Sequence, residues 1–511
     1  MKIKYYIYIS LFLLLCLFPS AGLLFTGIRE SSENNKTAPV PALFEQDRLN
    51  IHFLNDAGEW FEDHFAFRDE AVTAYALLLE KGFGVSAQES VITGTDGWLF
   101  YKDSLADFQG TAPMSERQLF DTAHSLAMVQ EYAQKNGAAF VFAAAPNKNS
   151  LYGRYMPYYC QPPHTKQSNM ERLKEYLNAE HINYTDLHES FQNEGRILYH
   201  KRDSHWNNEG AALAAGQILD GIGKEHLSYT DRPYTVRKDF QGDLDQMLRP
   251  ALADLEEEIY YDPLPQFDYC EDVESNFAPK INTRSNGSGN LVMYRDSFGN
   301  ALLPFFAEAY ENAYFSRALP YYLPDLSDYK ADALIIERAE RFLPDMVQQA
   351  PVMEAPAVIW NADLMGPAVK IESLQKETLG EYTKVTGKLP SAMIKTRSRI
   401  YIRINHDKCY EAFPVSDADG RECFSILLRT EELQNTELQN SEPQNADHVF
   451  EVYVSEQDAE AAEDTQTGNS GAQTAGSKTE LRREDYPDCD GSGHGYTEIY
   501  YSDGSVEIVE Y

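Results

Sequence analysis

The chain has 511 residues, 43% of them apolar and 24% charged, which is material for about two to four folding units with cores of their own. Its 80 Asp and Glu outnumber 44 Lys and Arg, and the net charge of −36 repels phosphate backbones and anionic lipid headgroups. Nucleic acid is excluded as a primary partner, as are a collagen-like chain, a fully disordered chain and a multi-spanning membrane protein.

Lys2 and Lys4 precede an apolar run from Tyr5 to Phe25. About 20 apolar residues cross a bilayer as a helix, and lysines ahead of such a run orient the amino end inward. Ser20, Ala21 and Gly22 would suit cleavage of a signal peptide, but the run continues through Leu23, Leu24 and Phe25, which favours a retained signal anchor over 1–30. The expected location is the cell membrane, single-pass, with the bulk of the chain extracytoplasmic. Cys16 follows Leu15 rather than a small residue, so lipidation is not expected. Residues 31–90 read as a juxtamembrane helical segment, with Phe53, Trp60, Phe61 and Phe65 as packing residues. Gly94 and Gly97 around Asp96 then make a tight turn before the strand-like Trp98, Leu99, Phe100 and Tyr101.

From residue 115 onward the pattern alternates. Helical spacing over 115–135 ends at Gly137, and 138–143 is a continuous apolar run, as in a strand covered on both faces. Helices follow over 170–179, 208–222 and 301–310, with strands near Ile182, over 291–294 and over 333–336. This alternation predicts an α/β three-layer sandwich with a parallel sheet, over 91–362. Residues 363–455 switch to two-residue alternation and predict a small antiparallel, β-sandwich-like domain, with Ile400, Ile402 and Ile404 buried. Tyr401 and Arg403 fall on its opposite, exposed face and make it a candidate glycan-binding domain. Cys409 with Cys423 could bridge two strands there, and Cys160 with Cys270 could also pair. Residues 456–485 are polar and acidic, as in a disordered linker, and 486–511 predict a β-hairpin tail turning at Asp503-Gly504.

Three places could carry chemistry. Ser297 lies between a buried strand and a helix, where free N–H groups at the helix start can hold an oxyanion. Alone, an Asp-Ser pair is also an ordinary helix cap. Asp203 and His205 stand two apart in a segment expected to be extended, so both side chains point to one side, as an orienting carboxylate and its base require. Asn147 and Lys148 follow the strand that ends at Pro146, and Lys148 with Arg154 and Arg202 could form a local basic cleft. A metal reading of His200, Asp203 and His205 lacks a fourth ligand, so no metal and no cofactor is expected.

The motifs FEDHFAFRD, GTDGWLFYKDS, RDSHW, YRDSFGN and ADALIIERAER, in that order, resemble the AlgX/AlgJ-like, DHHW-type family of exported polysaccharide O-acetyltransferases. The resemblance covers roughly 42–345. It implies an SGNH-hydrolase-like fold in permuted order, with Asp203 orienting, His205 as base and Ser297 as nucleophile. Arg295-Asp296-Ser297 replaces the Gly-Asp-Ser of ordinary SGNH enzymes. For the oxyanion and substrate it points to the N–H groups of Ser297 and Phe298, with Asn147, Arg341 and Trp206 as side-chain candidates. The implied activity moves an acetyl group through a serine ester to a cell-surface or secreted polysaccharide, with a membrane-bound O-acyltransferase as acetyl donor. Alternatives are a polysaccharide acetyl-esterase with the same three residues, or a non-catalytic glycan-binding scaffold of an envelope assembly.

Overall fold

The computed structural model describes residues 2–26, 38–45, 48–162, 167–252, 254–271, 273, 275–417, 419–435, 449–457, 480–488 and 495–510. Helix α1, Lys2–Thr26, stands with its described apolar side chains largely exposed, and Phe18 stacks on Phe67 at 5.1 Å. The side chains at 15–16, 19–20 and 23–26 lie outside the described set. Among the described residues no helix is long and apolar enough to cross a membrane, so the anchor expected over 1–30 rests on the sequence alone. Helices α2, Phe53–His64, and α3, Arg68–Phe83, follow.

The central unit is a seven-stranded sheet. Its strands are β1 (Ala139–Ala145), β2 (Tyr184–Thr185), then, after the separate hairpin β3 (Tyr234–Phe240) and β4 (Glu256–Tyr261), β5 (Asp268–Tyr269), β6 (Lys280–Arg284), β7 (Asn290–Tyr294), β8 (Asn312–Ser316) and β9 (Ala333–Ala339). Their order across the sheet is β2-β1-β9-β7-β8-β6-β5. The first five run parallel, while β6 and β5 close one edge antiparallel. The centres of β1, β7 and β9 are apolar runs because both faces of the sheet are covered there. One face packs α5 (Asn208–Gly221) and α6 (Gly299–Ala309) against Val141, Leu291, Met293 and Ile335. The other packs α4 (Glu116–Lys135) against Phe140, Phe142, Val292 and Leu334. Helix α4 begins where Ser115 and Gln118 form a reciprocal capping box. The expected three-layer arrangement therefore holds, with a mixed sheet in which parallel pairs predominate.

The second unit is antiparallel, its strands joined in one hydrogen-bonded path and packed around a single core. It comprises β10 (Ser373–Leu379), β11 (Tyr382–Lys388), β12 (Arg399–Ile404), β13 (Cys409–Ser416), β14 (Glu422–Arg429) and β15 (Phe450–Ser455), ordered β10-β11-β14-β13-β12-β15, with the short strand Ala357–Val358 added to β13. Ile400, Ile402 and Ile404 are in its core as expected. Tyr401 is not exposed, however: Val358, Met365 and Tyr453 cover it, and Arg403 lies over the Trp360 ring at 4.4 Å. The segment 357–365 folds back over that face, which removes the exposed polymer-holding surface expected there. Cys160, Cys270, Cys409 and Cys423 are all free thiols. Register explains one pair: Cys423 lies opposite Val415, while Cys409 lies opposite Arg403, at the far end of β13.

The tail holds three strands rather than a hairpin alone: β16 (Glu480–Tyr486), β17 (Tyr496–Tyr501) and β18 (Val506–Glu510). The hairpin at Asp503-Gly504 is present, with Gly504 at φ +80°. Strand β16 occupies the last part of the expected linker, and 458–479 lie outside the described residues.

Candidate active site

The C-terminal ends of β1, β7 and β9 open on the same edge of the sheet, where ligands gather in open α/β folds. Ser297 follows β7 by three residues and is buried. Gly299, two residues on, starts α6 against the Arg295 side chain: a Cβ there would stand 2.6 Å from Arg295 Cβ, so the turn needs glycine. Asp296 ties the turn together, its Oδ1 accepting from Phe298 N (3.0 Å) and its Oδ2 from Ala339 N at the end of β9 (2.7 Å). Arg295 is buried and donates to the carbonyls of Asn276 (3.1 Å) and Ala278 (2.8 Å).

Asp203 and His205 arrive on the loop before α5. His205 Nδ1 donates to Asp203 Oδ1 at 2.8 Å, and His205 Nε2 lies 2.8 Å from Ser297 Oγ. Asp203, His205 and Ser297, the last 92 positions beyond His205, thus form one continuous hydrogen-bonded chain. Holding Nδ1–H on the carboxylate leaves Nε2 to accept the serine proton. The loop is itself braced: His205 N donates to Asp203 Oδ1 (2.8 Å), and Asp243 N to Asp203 Oδ2 (2.8 Å).

Burial alone would favour neutral forms here. For Asp203, the charge and hydrogen bond of His205 outweigh burial and hold its carboxyl well below the usual range. For His205, burial works against the imidazolium, but Asp203 overcomes it and leaves the pKa raised above 6.5, while Arg341 opposes the rise. Asp243 is pushed up by burial first and then by the Asp203 charge. Its Oδ2 accepts from Ser204 Oγ at 2.5 Å and lies 3.5 Å from His205 Nδ1. Asp203, His205 and Asp243 bring ligand atoms within 4.8 Å of one another. Those atoms already serve this hydrogen-bond network.

The remaining predicted residues sort as follows. Phe298 N is committed to Asp296, so it does not face an oxyanion. Ser297 N has no acceptor among the described residues and is the backbone donor left beside Oγ. Trp206 Nε1 donates to Phe298 O (3.2 Å) and its ring meets Phe298 edge-on at 4.9 Å, which fixes the turn. Arg341 lies over the Phe298 ring at 5.2 Å and over Tyr101 at 5.4 Å. Asn147 is buried, its N donating to Glu340 Oε2 (2.8 Å), and it does not line the cavity over Ser297. The basic cleft expected from Lys148, Arg154 and Arg202 does not form. Lys148 is buried and donates to the carbonyls of Leu99, Lys201 and Asp203 at 2.7, 2.7 and 2.8 Å, and Arg202 pairs with Asp254. Lys148 instead pins the Asp203 loop to Leu99, in the short antiparallel pair of Val91–Thr93 with Leu99–Tyr101 that precedes β1. His200 bonds Glu258 (2.9 Å) and stacks on Phe240, which takes it out of any metal set with Asp203 and His205.

A cavity of about 610 Å³ opens over Ser297 and His205. Its walls include Asp243, Asn208, Phe277 and Arg317 from the central unit and Tyr486, Asp488 and Tyr496 from the tail. Asp243 escaped the sequence reading because a Gly-Asp pair 40 residues from Asp203 looks like a helix start, and the tail residues because nothing local ties them to a site.

Among solved structures, the chain is similar to a DHHW family protein from Eubacterium siraeum (17% identity, covering 44% of this chain and 85% of that one, TM-score 0.35). It is also similar to PatB1 of Bacillus cereus (17%, 50% and 96%, TM-score 0.38) and AlgX of Pseudomonas aeruginosa (13%, 71% and 90%, TM-score 0.32). No curated protein matches. Residues 91–278 match the family model described as ALGX, SGNH hydrolase-like domain, acetyltransferase AlgX, a span that contains Asp203 and His205 and ends before Ser297. Over residues 91–278 the chain is thus similar to an AlgX-type SGNH hydrolase-like domain.

Proposed function

We propose that the chain is a polysaccharide O-acetyltransferase that carries the acetyl group on Ser297. The observation that supports this most is the Asp203–His205–Ser297 chain of 2.8 Å contacts opening into a cavity large enough for a sugar unit. His205 Nε2 takes the proton of Ser297 Oγ as Oγ adds to the acetyl carbonyl, and the developing oxyanion meets Ser297 N–H. Collapse expels the donor's leaving group, which receives the proton from His205. A sugar hydroxyl then gives its proton to His205, attacks the serine ester and departs acetylated, and the proton returns to Ser297 Oγ. Asp203 keeps the imidazole in the tautomer and orientation both steps need.

A donor outside the cytoplasm would be a membrane-bound O-acyltransferase, and α1 with its exposed apolar side chains would tether the chain near it as a single-pass, extracytoplasmic protein. The esterase alternative differs only in whether water or sugar attacks the ester. Supplying the parent and Ser297→Ala with an activated acetyl ester and an oligosaccharide, and separating acetylated sugar from free acetate, tests the proposal. Acetylated sugar from the parent alone supports it; free acetate alone points to the esterase; identical output from both proteins refutes a role for Ser297.

A further inference from the structure

The tail does not hang free of the central unit. Asp485 and Leu319 exchange two backbone hydrogen bonds of 2.7 Å, so β16 is stitched onto the segment after β8. Arg482 lies 3.2 Å from Asp325 Oδ1, with its guanidinium 3.7 Å from the centre of the Tyr322 ring. Lys280 of β6 reaches Glu484 (2.9 Å), Glu498 (3.3 Å) and Tyr500 Oη (2.7 Å). Glu484 is fully buried, and its carboxylate takes Tyr486 Oη at 2.6 Å as well as Lys280. Such a cluster holds one geometry only when every charge has its partner.

This docking sets the tail's aromatics beside the reacting serine. Tyr486 and Tyr496 lie opposite each other across β16 and β17 and stack at 4.8 Å. Both line the cavity over Ser297, Tyr486 buried and Tyr496 half-buried. Phe277 lines the same cavity and is 63% exposed. Aromatic side chains on the walls of a cavity are what the apolar faces of a pyranose ring need. The polar groups are of matching kind: the amides of Asn208 and Asn276 and the carboxylate of Asp488 can exchange hydrogen bonds with hydroxyls. Four carboxylates (Asp203, Asp243, Glu258 and Asp488) line the cavity against Arg317 and the two histidines, which disfavours an anionic sugar.

We infer that the C-terminal three-stranded sheet forms one wall of the acceptor site, with Tyr496 and Phe277 gripping an uncharged pyranose of the polysaccharide beside Ser297. The inference rests on the acetyl-transfer function proposed above, but binding tests it independently. Full-length Ser297→Ala is titrated with hexamers of glucose (α-1,4 and β-1,4), a hexamer of N-acetylglucosamine and a hexauronate. At least one neutral hexamer should bind saturably and more tightly than the uronate, and Phe277→Ala and Tyr496→Ala should each weaken it about tenfold or more, with Tyr496→Phe near the parent. Phe277 is exposed, so its removal leaves the fold intact. No saturable binding of any neutral hexamer, tighter uronate binding, or affinity unmoved by Phe277→Ala would overturn the inference. Loss of sugar binding with Ser297 still acylated in the parent would leave the serine chemistry standing; no acylation with sugar still bound would do the reverse.

Discussion

At the scale of single residues, the charge of Asp203 is what orients His205. Asp203→Asn keeps the shape but offers Nδ1 of His205 an amide in place of a carboxylate, so kcat/KM for acetyl transfer should drop about 10³–10⁴-fold with the melting temperature little changed. A loss of only a few-fold would show that Asp203 does not orient the base. His205 must be neutral to accept the serine proton, and its pKa is raised, so activity should fall as pH drops through a value above 6.5. Arg341 opposes that rise, so Arg341→Gln should move the acid limb of kcat/KM to still higher pH. A limb unmoved by the substitution would place Arg341 outside the field of His205. Asp203, His205 and Ser297 were legible in the sequence because their types and local spacing already fit a nucleophile, its base and an orienting carboxylate. Asp243, Ser204 and the pinning role of Lys148 were not, since each depends on contacts between loops distant in the chain. Lys148 looked like part of a basic cleft only because sequence does not show the three carbonyls that surround its ammonium.

At the scale of elements, the Asp203 loop is held where Gly242 permits close backbone approach. A Cβ on Gly242 would stand 2.3 Å from Arg202 O and 2.9 Å from Asp203 N, both backbone atoms that cannot swing away. Gly242→Ala should therefore displace the Asp203 loop and lower kcat/KM on the order of a hundredfold while far-UV circular dichroism stays that of the parent. Unchanged kinetics would mean that the loop adjusts without moving Asp203. The buried parallel strands were legible as unbroken apolar runs, and α4 by its cap and spacing. Strand β3 was not, because six of its seven residues are exposed and carry no two-residue alternation. Strand β16 resembles disordered linker in sequence for a related reason. Its Arg482 and Glu484 look like solvated charges, yet their partners, Asp325 and Lys280, lie more than 150 residues away.

At the scale of the whole molecule, the antiparallel unit is coupled to the central one through charge and a shared core. Phe413, Val415 and Cys423 pack in the same cluster as Phe120 and Ala123 of α4. His124 of α4 bridges Glu180 (3.1 Å) and Glu411 (3.1 Å), and Arg399 also reaches Glu180 (3.1 Å). Burial disfavours the imidazolium, but the two glutamates win and raise its pKa to about 9. A folded pKa above the unfolded value of 6.5 means that His124 stabilises fully below pH 6.5 and that this contribution fades as pH rises through about 9. His124→Gln should thus lower the melting temperature most at pH 6, by a difference worth up to about 3 kcal/mol, and least at pH 10. A gap that does not narrow on the alkaline side would show that His124 is neutral in the fold. Such coupling fits a rigid support better than an independent glycan-holding module, since Tyr401 is covered and the acceptor wall comes instead from the tail.

The most direct test of the central claim is the intact mass of the protein after brief exposure to an activated acetyl ester, beside Ser297→Ala. One added acetyl group on the parent and none on the variant, lost again when a neutral oligosaccharide is supplied and recovered on the sugar, is the predicted result. Equal labelling of both proteins, or none on a folded parent, would contradict an acyl group carried by Ser297.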